Sequence, residues 1–213
     1  MCKLRFMAKR MNATEHLSEA LALGLINHTD VHERWIDLMH RMTRWGVASL
    51  IAAASNSRLD LLLRQLEAET RDFINHPNGQ REPEFAFDFM LGLTENWVLR
   101  SYEIIRAAYE QSKIMGEPHD KLRALRDRFA LVRMPIAKAE ITAAGRHKQE
   151  IILATVEDGG DPRAYANDGS YVIPRGVCTE TGAVMWWPVD LKTSTTVEIC
   201  RRELSDEFLS VLD

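Results

Sequence analysis

Residues 84–115 read EFAFDFMLGLTENWVLRSYEIIRAAYEQSKIM, the longest uninterrupted helical pattern in the sequence. At about 100° per residue its apolar side chains gather on one face, while Arg100, Glu103 and Arg106 fall on the other. The predicted apolar face consists of Phe87, Met90, Leu91, Trp97, Val98, Tyr102, Ile104, Ile105, Ala108 and Tyr109. Such a broad face is typical of a central helix that contacts several neighbours in a bundle.

Helical periodicity also appears on both sides of this stretch. It predicts further helices at about 13–26, 31–54, 58–75 and 118–134. Thr14 is the expected cap of the first helix, and Asp30 with Glu33 has the spacing of a capping box for the second. The polar triplet 55–57 is expected to separate the second and third helices, while the segment 135–145 fits either a helix or a strand.

The periodicity changes near residue 150. Four short strands are predicted at 150–156, 170–174, 183–189 and 195–200, followed by a helix at 206–212 that Ser205 would cap. Short turns between strands imply antiparallel pairing. The predicted fold class is therefore α+β. A bundle of about five helices over residues 12–145 precedes a small antiparallel β-sheet and C-terminal helix over 146–213, and the two parts are expected to pack as one unit.

The composition is that of an ordinary globular protein, with 46% hydrophobic and 27% charged residues. No apolar run is long enough to span a membrane, and the basic N-terminal stretch lacks the apolar core of a secretory signal. Cys2, Cys178 and Cys200 are scattered, which favours reduced thiols over a disulfide framework. We therefore expect a cytoplasmic protein with no membrane partner.

Positive charge is concentrated in one segment. Residues 118–148 hold eight basic and three acidic side chains, whereas residues 149–213 hold five basic and twelve acidic ones. Arginine and lysine clusters of this kind bind phosphates and other anions. The candidate anion- or nucleic-acid-binding residues are Arg123, Arg126, Arg133, Lys138, Arg146 and Lys148. The acidic region offers an alternative, in which it neutralises the basic segment within the same molecule.

Arg71 and His76 enclose four residues at the end of a predicted helix. This pair resembles the R-x(4–6)-H motif of HEPN ribonucleases, which are small helical bundles of toxin and defence systems. The resemblance covers these six residues and the helical character of the first two-thirds of the chain. It implies a metal-independent ribonuclease in which Arg71 stabilises phosphate charge and His76 acts as acid or base.

The sequence contains no motif that requires a cofactor. Phosphate-binding loops, dinucleotide fingerprints, the HExxH motif and the GxSxG motif are all missing. His28, His32 and His40 are spaced as on a helix, but we interpret them as structural because the expected cap at Asp30 places His28 outside the helix. No metal and no cofactor are therefore expected.

Trp186, Trp187 and Pro188 form an unusual apolar pair followed by a proline. Alternation along a strand places the two tryptophans on opposite faces, so only one of them can belong to the main core. A proline at this point is typical of an edge strand or a strand end, where a partner strand can add.

Together these features favour a non-enzymatic binding or regulatory protein of bacterial type that acts through protein contacts. Its partner is expected to be a second copy of the chain, as in a homodimer, or another protein. Nucleic acid is a further expected ligand of the basic segment, and the HEPN-like ribonuclease is the alternative class.

Overall fold

The computed structural model describes residues 12–75, 84–153 and 163–213. The α-helices in this part of the chain are α1 (Ala13–Asn27), α2 (Thr29–Met42), α3 (Val47–Asn75), α4 (Glu84–Ile114), α5 (Asp120–Lys138) and α6 (Arg201–Ser210). The strands are β1 (Ile152–Leu153), β2 (Arg163–Ala164), β3 (Arg175–Val177), β4 (Val184–Trp186), β5 (Val189–Asp190), β6 (Thr195–Thr196) and β7 (Ile199–Cys200). This arrangement confirms the α+β fold class, a helical bundle followed by small antiparallel sheets and a C-terminal helix.

Helix α4 is the central element of the bundle, as its broad apolar face predicts. It packs against both α3 and α5. Trp97, Val98 and Ile105 have no exposed surface, and Trp97 lies against Phe129 of α5 with ring centroids 5.7 Å apart. Phe87 departs from the prediction, because its side chain is 40% exposed near the N-terminal end of the helix.

The boundary between α2 and α3 lies earlier than predicted. Gly46 has a φ of 107°, a conformation that glycine adopts at little cost, and it separates α2 and the following 3-10 turn from α3. The polar triplet 55–57 instead continues α3 because the helix accommodates its side chains. Asn56 donates to Ser101 Oγ at 2.7 Å, and Ser57 donates to the carbonyl of Ala54 at 2.9 Å.

The caps of the first two helices also differ from the predictions. Asn12 caps α1 and forms a reciprocal capping box with Glu15, whereas Thr14 lies inside the helix. His28 is the single residue between α1 and α2, so Asp30 lies in the first turn of α2 and does not cap it. The two helices are consequently separated by a single residue, and both pack on α3.

The strands form three small antiparallel sheets. Strand β1 pairs with β2, β5 pairs with β6, and β4 lies between β3 and β7. The β5–β6 pair continues the β4–β7 pair without a shift in register, because Trp186 is opposite Ile199 and Val189 is opposite Thr196. Residues 184–200 therefore make one long hairpin whose two legs agree with the strands predicted at 183–189 and 195–200.

The C-terminal helix begins earlier than predicted. Helix α6 starts at Arg201, directly after β7, and Ser205 is a buried residue inside it and not its cap. The helix packs against α2, α5 and β7, which joins the C-terminal region to the bundle. Segment 135–145 is α-helical only as far as Lys138, where α5 ends. Irregular backbone follows, and a 3-10 turn occupies Ala144–Arg146.

Candidate binding site

The basic face of α5 is already paired with carboxylates near its start. Arg123 donates to Asp120 at 2.9 Å, an exposed pair at i and i+3. Arg126 donates to Asp127 at 2.6 Å and lies over the ring of Tyr109, 4.2 Å from its centroid. Burial opposes the charge of Arg126, but these contacts raise the pKa of its guanidinium above the ordinary value. Arg126 is therefore committed to packing against α4.

Contacts farther along α5 reach both α6 and α4. Arg128 donates to Glu203 at 3.1 Å and to Glu207 at 2.5 Å, so carboxylates of the acidic region neutralise part of the basic segment. Arg133 lies 3.7 Å from a carboxylate oxygen of Glu103 on α4. Intramolecular neutralisation thus accounts for much of the charge on this helix.

Three of the exposed candidate cations lie at the end of α5 or after it. Lys138, Arg146 and Lys148 have no ion pair within the described residues. An anion- or nucleic-acid-binding surface on the segment 121–148 stays a prediction, and these three exposed side chains are the candidates without an ion pair among the described residues.

A buried ionic cluster joins α3 to α6. We use this name for Asp60, Arg64, Glu67, Arg201 and Ser205, which are all buried. The Arg201 guanidinium bonds both Asp60 and Glu67, with Arg201 to Glu67 distances of 2.5 Å. Arg64 donates to Asp60 at 3.1 Å and to Ser205 at 2.9 Å. Two acidic and two basic side chains thus balance in a region removed from solvent.

The cluster is electrostatically satisfied. Burial on its own would raise the pKa of Asp60, but Arg201 and Arg64 outweigh burial, and bonds from Trp35 and Ser205 add to their effect, so the pKa falls to about 2. Burial likewise opposes the charge of Arg201, whose pKa Glu67 and Asp60 nevertheless raise. These shifts suit a structural role, because neither Asp60 nor Arg201 is poised to exchange a proton near neutral pH.

Part of this cluster is recognisable from the spacing of residues in the sequence. Asp60, Arg64 and Glu67 are spaced four and three residues apart, which places them on one face of a helix. Their partner Arg201 lies 141 residues from Asp60 along the chain, a separation at which local periodicity carries no information. The polar face formed by these three residues can be recognised from the sequence, whereas their partner Arg201 cannot.

An open cleft of about 780 Å³ separates α5 from the hairpin leg that contains β6 and β7. Most of the surface that lines it is apolar, and charged side chains of both signs, here called its rim, contribute the rest together with Thr142. The apolar lining consists of Ala124, Ala130, Leu131, Ala143, Leu191, Val197 and Ile199. The charged lining consists of Arg123, Asp127, Arg128, Asp190, Lys192 and Glu198. The size and the mixture of groups are typical of a ligand-binding cleft.

One ion pair fixes the rim of the cleft. Lys192, in the turn of the hairpin, donates to Asp127 of α5 at 2.9 Å. Burial would raise the pKa of Asp127, but hydrogen bonds from Lys192 and Arg126 lower it below the ordinary value. Asp127 therefore stays ionised at neutral pH and connects the two walls.

The predicted ribonuclease pair is described only in part. Arg71 lies near the end of α3, where it donates to Asp72 at 2.7 Å and 2.9 Å. His76 lies outside the described residues, so the relation between the two side chains stays a prediction. No group of three or more His, Cys, Asp or Glu side chains in the described ranges is arranged to hold a metal ion. Likewise, none of the helices described is both long and apolar enough to cross a membrane.

No protein-family model matches this chain, and no curated protein or solved structure matches it either. Its function must therefore be inferred from its own side chains. The cleft between α5 and the hairpin is open to solvent, whereas the buried ionic cluster is closed to it, so we infer the ligand site from the cleft.

Proposed function

We propose that this chain is a non-enzymatic binding or regulatory protein, of bacterial type and cytoplasmic, that acts through protein contacts made in the cleft between α5 and the hairpin. The observation that carries the proposal is the cleft itself, about 780 Å³ with a largely apolar lining. Burial of apolar surface is the main favourable term in most protein association. The proposed partner is a segment of another protein.

The charges at the rim favour a polypeptide over a nucleic acid. Arg123 and Lys192 are balanced there by Asp190 and Glu198, so the cleft offers no uniform positive field. Nucleic-acid binding depends on neutralising several phosphates at once. Charges of both signs around an apolar centre resemble the polar rim of a protein interface. Nucleic acid remains a second proposed ligand, held by the exposed cations Lys138, Arg146 and Lys148.

A substitution at Ala124 tests the cleft. Ala124 is exposed on α5 and lines the cleft, so Ala124→Arg places a bulky charged side chain across its apolar lining. We expect affinity to fall by about tenfold or more, because the partner must bury a cation or move away from it. The measurement is fluorescence anisotropy with peptides selected on the wild-type protein from a random-sequence phage library.

Ala137→Arg is the matched control, since Ala137 is exposed on the same helix and does not line the cleft. Its affinity should stay within about twofold of wild type. Equal loss in both variants, or failure to select any peptide, would contradict the proposed function. Cleavage of single-stranded RNA by the purified protein would instead favour the ribonuclease alternative.

Self-association is proposed to use α1. Ile26 is 72% exposed and Leu23, one turn earlier, is 49% exposed, so two large apolar side chains share an open face. We expect a homodimer by size-exclusion chromatography with light scattering, and a monomer for Ile26→Glu. Ile114→Glu is the control, because Ile114 is 76% exposed at the end of α4. A wild-type protein that is monomeric at high micromolar concentration would refute this proposal.

A further inference from the structure

The hairpin leg that borders the cleft is the last strand of its sheet. Val197 donates its backbone amide to the carbonyl of Pro188 at 3.0 Å, so its polar backbone groups point toward the other leg of the hairpin. Trp186 opposite Ile199 and Val189 opposite Thr196 continue the same register on either side. Backbone groups therefore alternate regularly along residues 195–200.

This alternation has a direct consequence for Thr196 and Glu198. Because neighbouring residues of a strand direct their amides and carbonyls to opposite sides, those of Thr196 and Glu198 point away from the hairpin. Within the described sheets, β6 and β7 are edge strands, and no third strand pairs with that side. Val197, Glu198 and Ile199 line the cleft, so the open backbone edge borders the cleft along these three residues.

We propose that the partner binds in an extended conformation, as a strand added to the edge at residues 195–200. This inference rests on the proposed function of the cleft and names the form of its ligand. An added strand lies about 4.8 Å from the edge, and its main-chain bonds to Thr196 and Glu198 supply affinity. The small side chains Ala124 and Ala130 on α5 leave room opposite that edge.

The chemistry of the cleft defines the expected partner further. An added strand presents its side chains alternately, so one set meets the apolar lining at Leu131 and Val197 while the other faces solvent. The partner is therefore a protein segment in which apolar and polar residues alternate. Its ends can pair with the charges of both signs at the rim.

Backbone substitution tests this mode directly. Glu198→Pro removes the outward amide of Glu198 and the carboxylate that accepts from Trp187, and proline is tolerated at such a position because no backbone bond within the hairpin is lost. Glu198→Ala keeps the amide and removes only the carboxylate. We expect cleft-dependent peptides to bind Glu198→Pro about fivefold or more weakly than Glu198→Ala, which lacks the same carboxylate, and equal binding by the two variants would overturn the inference. Thermal unfolding of each variant establishes that it is folded.

Modified peptides provide a test that leaves the protein unchanged. N-methylation of successive peptide amides should weaken binding at every second position, because only alternate amides face the edge. If binding instead depends on peptide side chains spaced three and four residues apart, the ligand is helical. That result would overturn the inference but leave the proposed function standing. Peptides whose affinity is unchanged by Ala124→Arg would overturn both the inference and the proposed function. If the protein forms a dimer that Glu198→Pro dissociates, the strand added at this edge belongs to a second copy of the chain. The inference that the partner is a different protein would then be overturned.

Discussion

Arg201→Met lowers the free energy of unfolding by about 3–5 kcal/mol, the largest effect we expect from removing one charge in this protein. Methionine keeps the apolar stem but removes the guanidinium that bonds Asp60 and Glu67. Both carboxylates are fully buried, so the substitution leaves negative charge without its main partner. Equilibrium unfolding in urea, followed by circular dichroism, measures the change.

The matched control is Arg175→Met. Arg175 forms an ion pair with Glu95 at 3.2 Å, but its side chain is 47% exposed, and such pairs contribute about 0–1 kcal/mol. Adding Glu67→Gln to Arg201→Met should restore part of the loss, since it removes one of the two buried negative charges that have lost Arg201, although Arg202 still bonds Glu67. A destabilisation below about 1 kcal/mol for Arg201→Met would show that the cluster does not hold α6 to α3.

Gly182→Ala is expected to destabilise the protein by about 3 kcal/mol or more. Gly182 has a φ of 73°, and a Cβ atom there would lie 1.9 Å from the carbonyl oxygen of Glu67. The obstacle is the backbone of α3, which cannot rotate away as a side chain can. The turn that contains Gly182 must therefore move off the helix, and the loss should appear in the same urea unfolding experiment.

Gly169→Ala is the control that measures the cost of the left-handed backbone conformation without the steric clash. Gly169 has a φ of 76°, nearly that of Gly182, but the nearest atom to its added Cβ is the carbonyl oxygen of Lys138 at 3.9 Å. Only the cost of the left-handed conformation remains, about 1–2 kcal/mol. If the two alanine variants were equally stable, the close approach of the turn to α3 would be refuted.

Local sequence patterns were sufficient for several elements whose side chains follow a regular period, but the strand predicted at 170–174 was wrong, because that segment is irregular and β3 begins at Arg175. The broad apolar face of α4 predicted its central position, and alternation predicted both legs of the hairpin. Trp186 is fully buried, whereas Trp187 lies on the other face and donates to Glu198 at 3.2 Å. These features depend on neighbours within a few residues, which periodicity records.

Other features depended on distant partners and were missed. Four of the five residues 201–205 are polar, so the sequence favoured a later start for α6, but Arg201 and Ser205 are buried because α3 supplies their charged partners. The cleft was not predicted either, since it is formed between α5 and a hairpin leg far along the chain. Only three-dimensional packing brings these groups together.

The buried ionic cluster also sets an order of events during synthesis. Glu67 is 134 residues from Arg201, so at about 5–20 residues per second the ribosome needs roughly 7–27 s to supply the partner of that carboxylate. During that interval α3 carries Asp60 and Glu67 without Arg201, and the face that will contact α6 stays hydrated. The helical bundle consequently completes its native packing only after residues 201–205 have emerged.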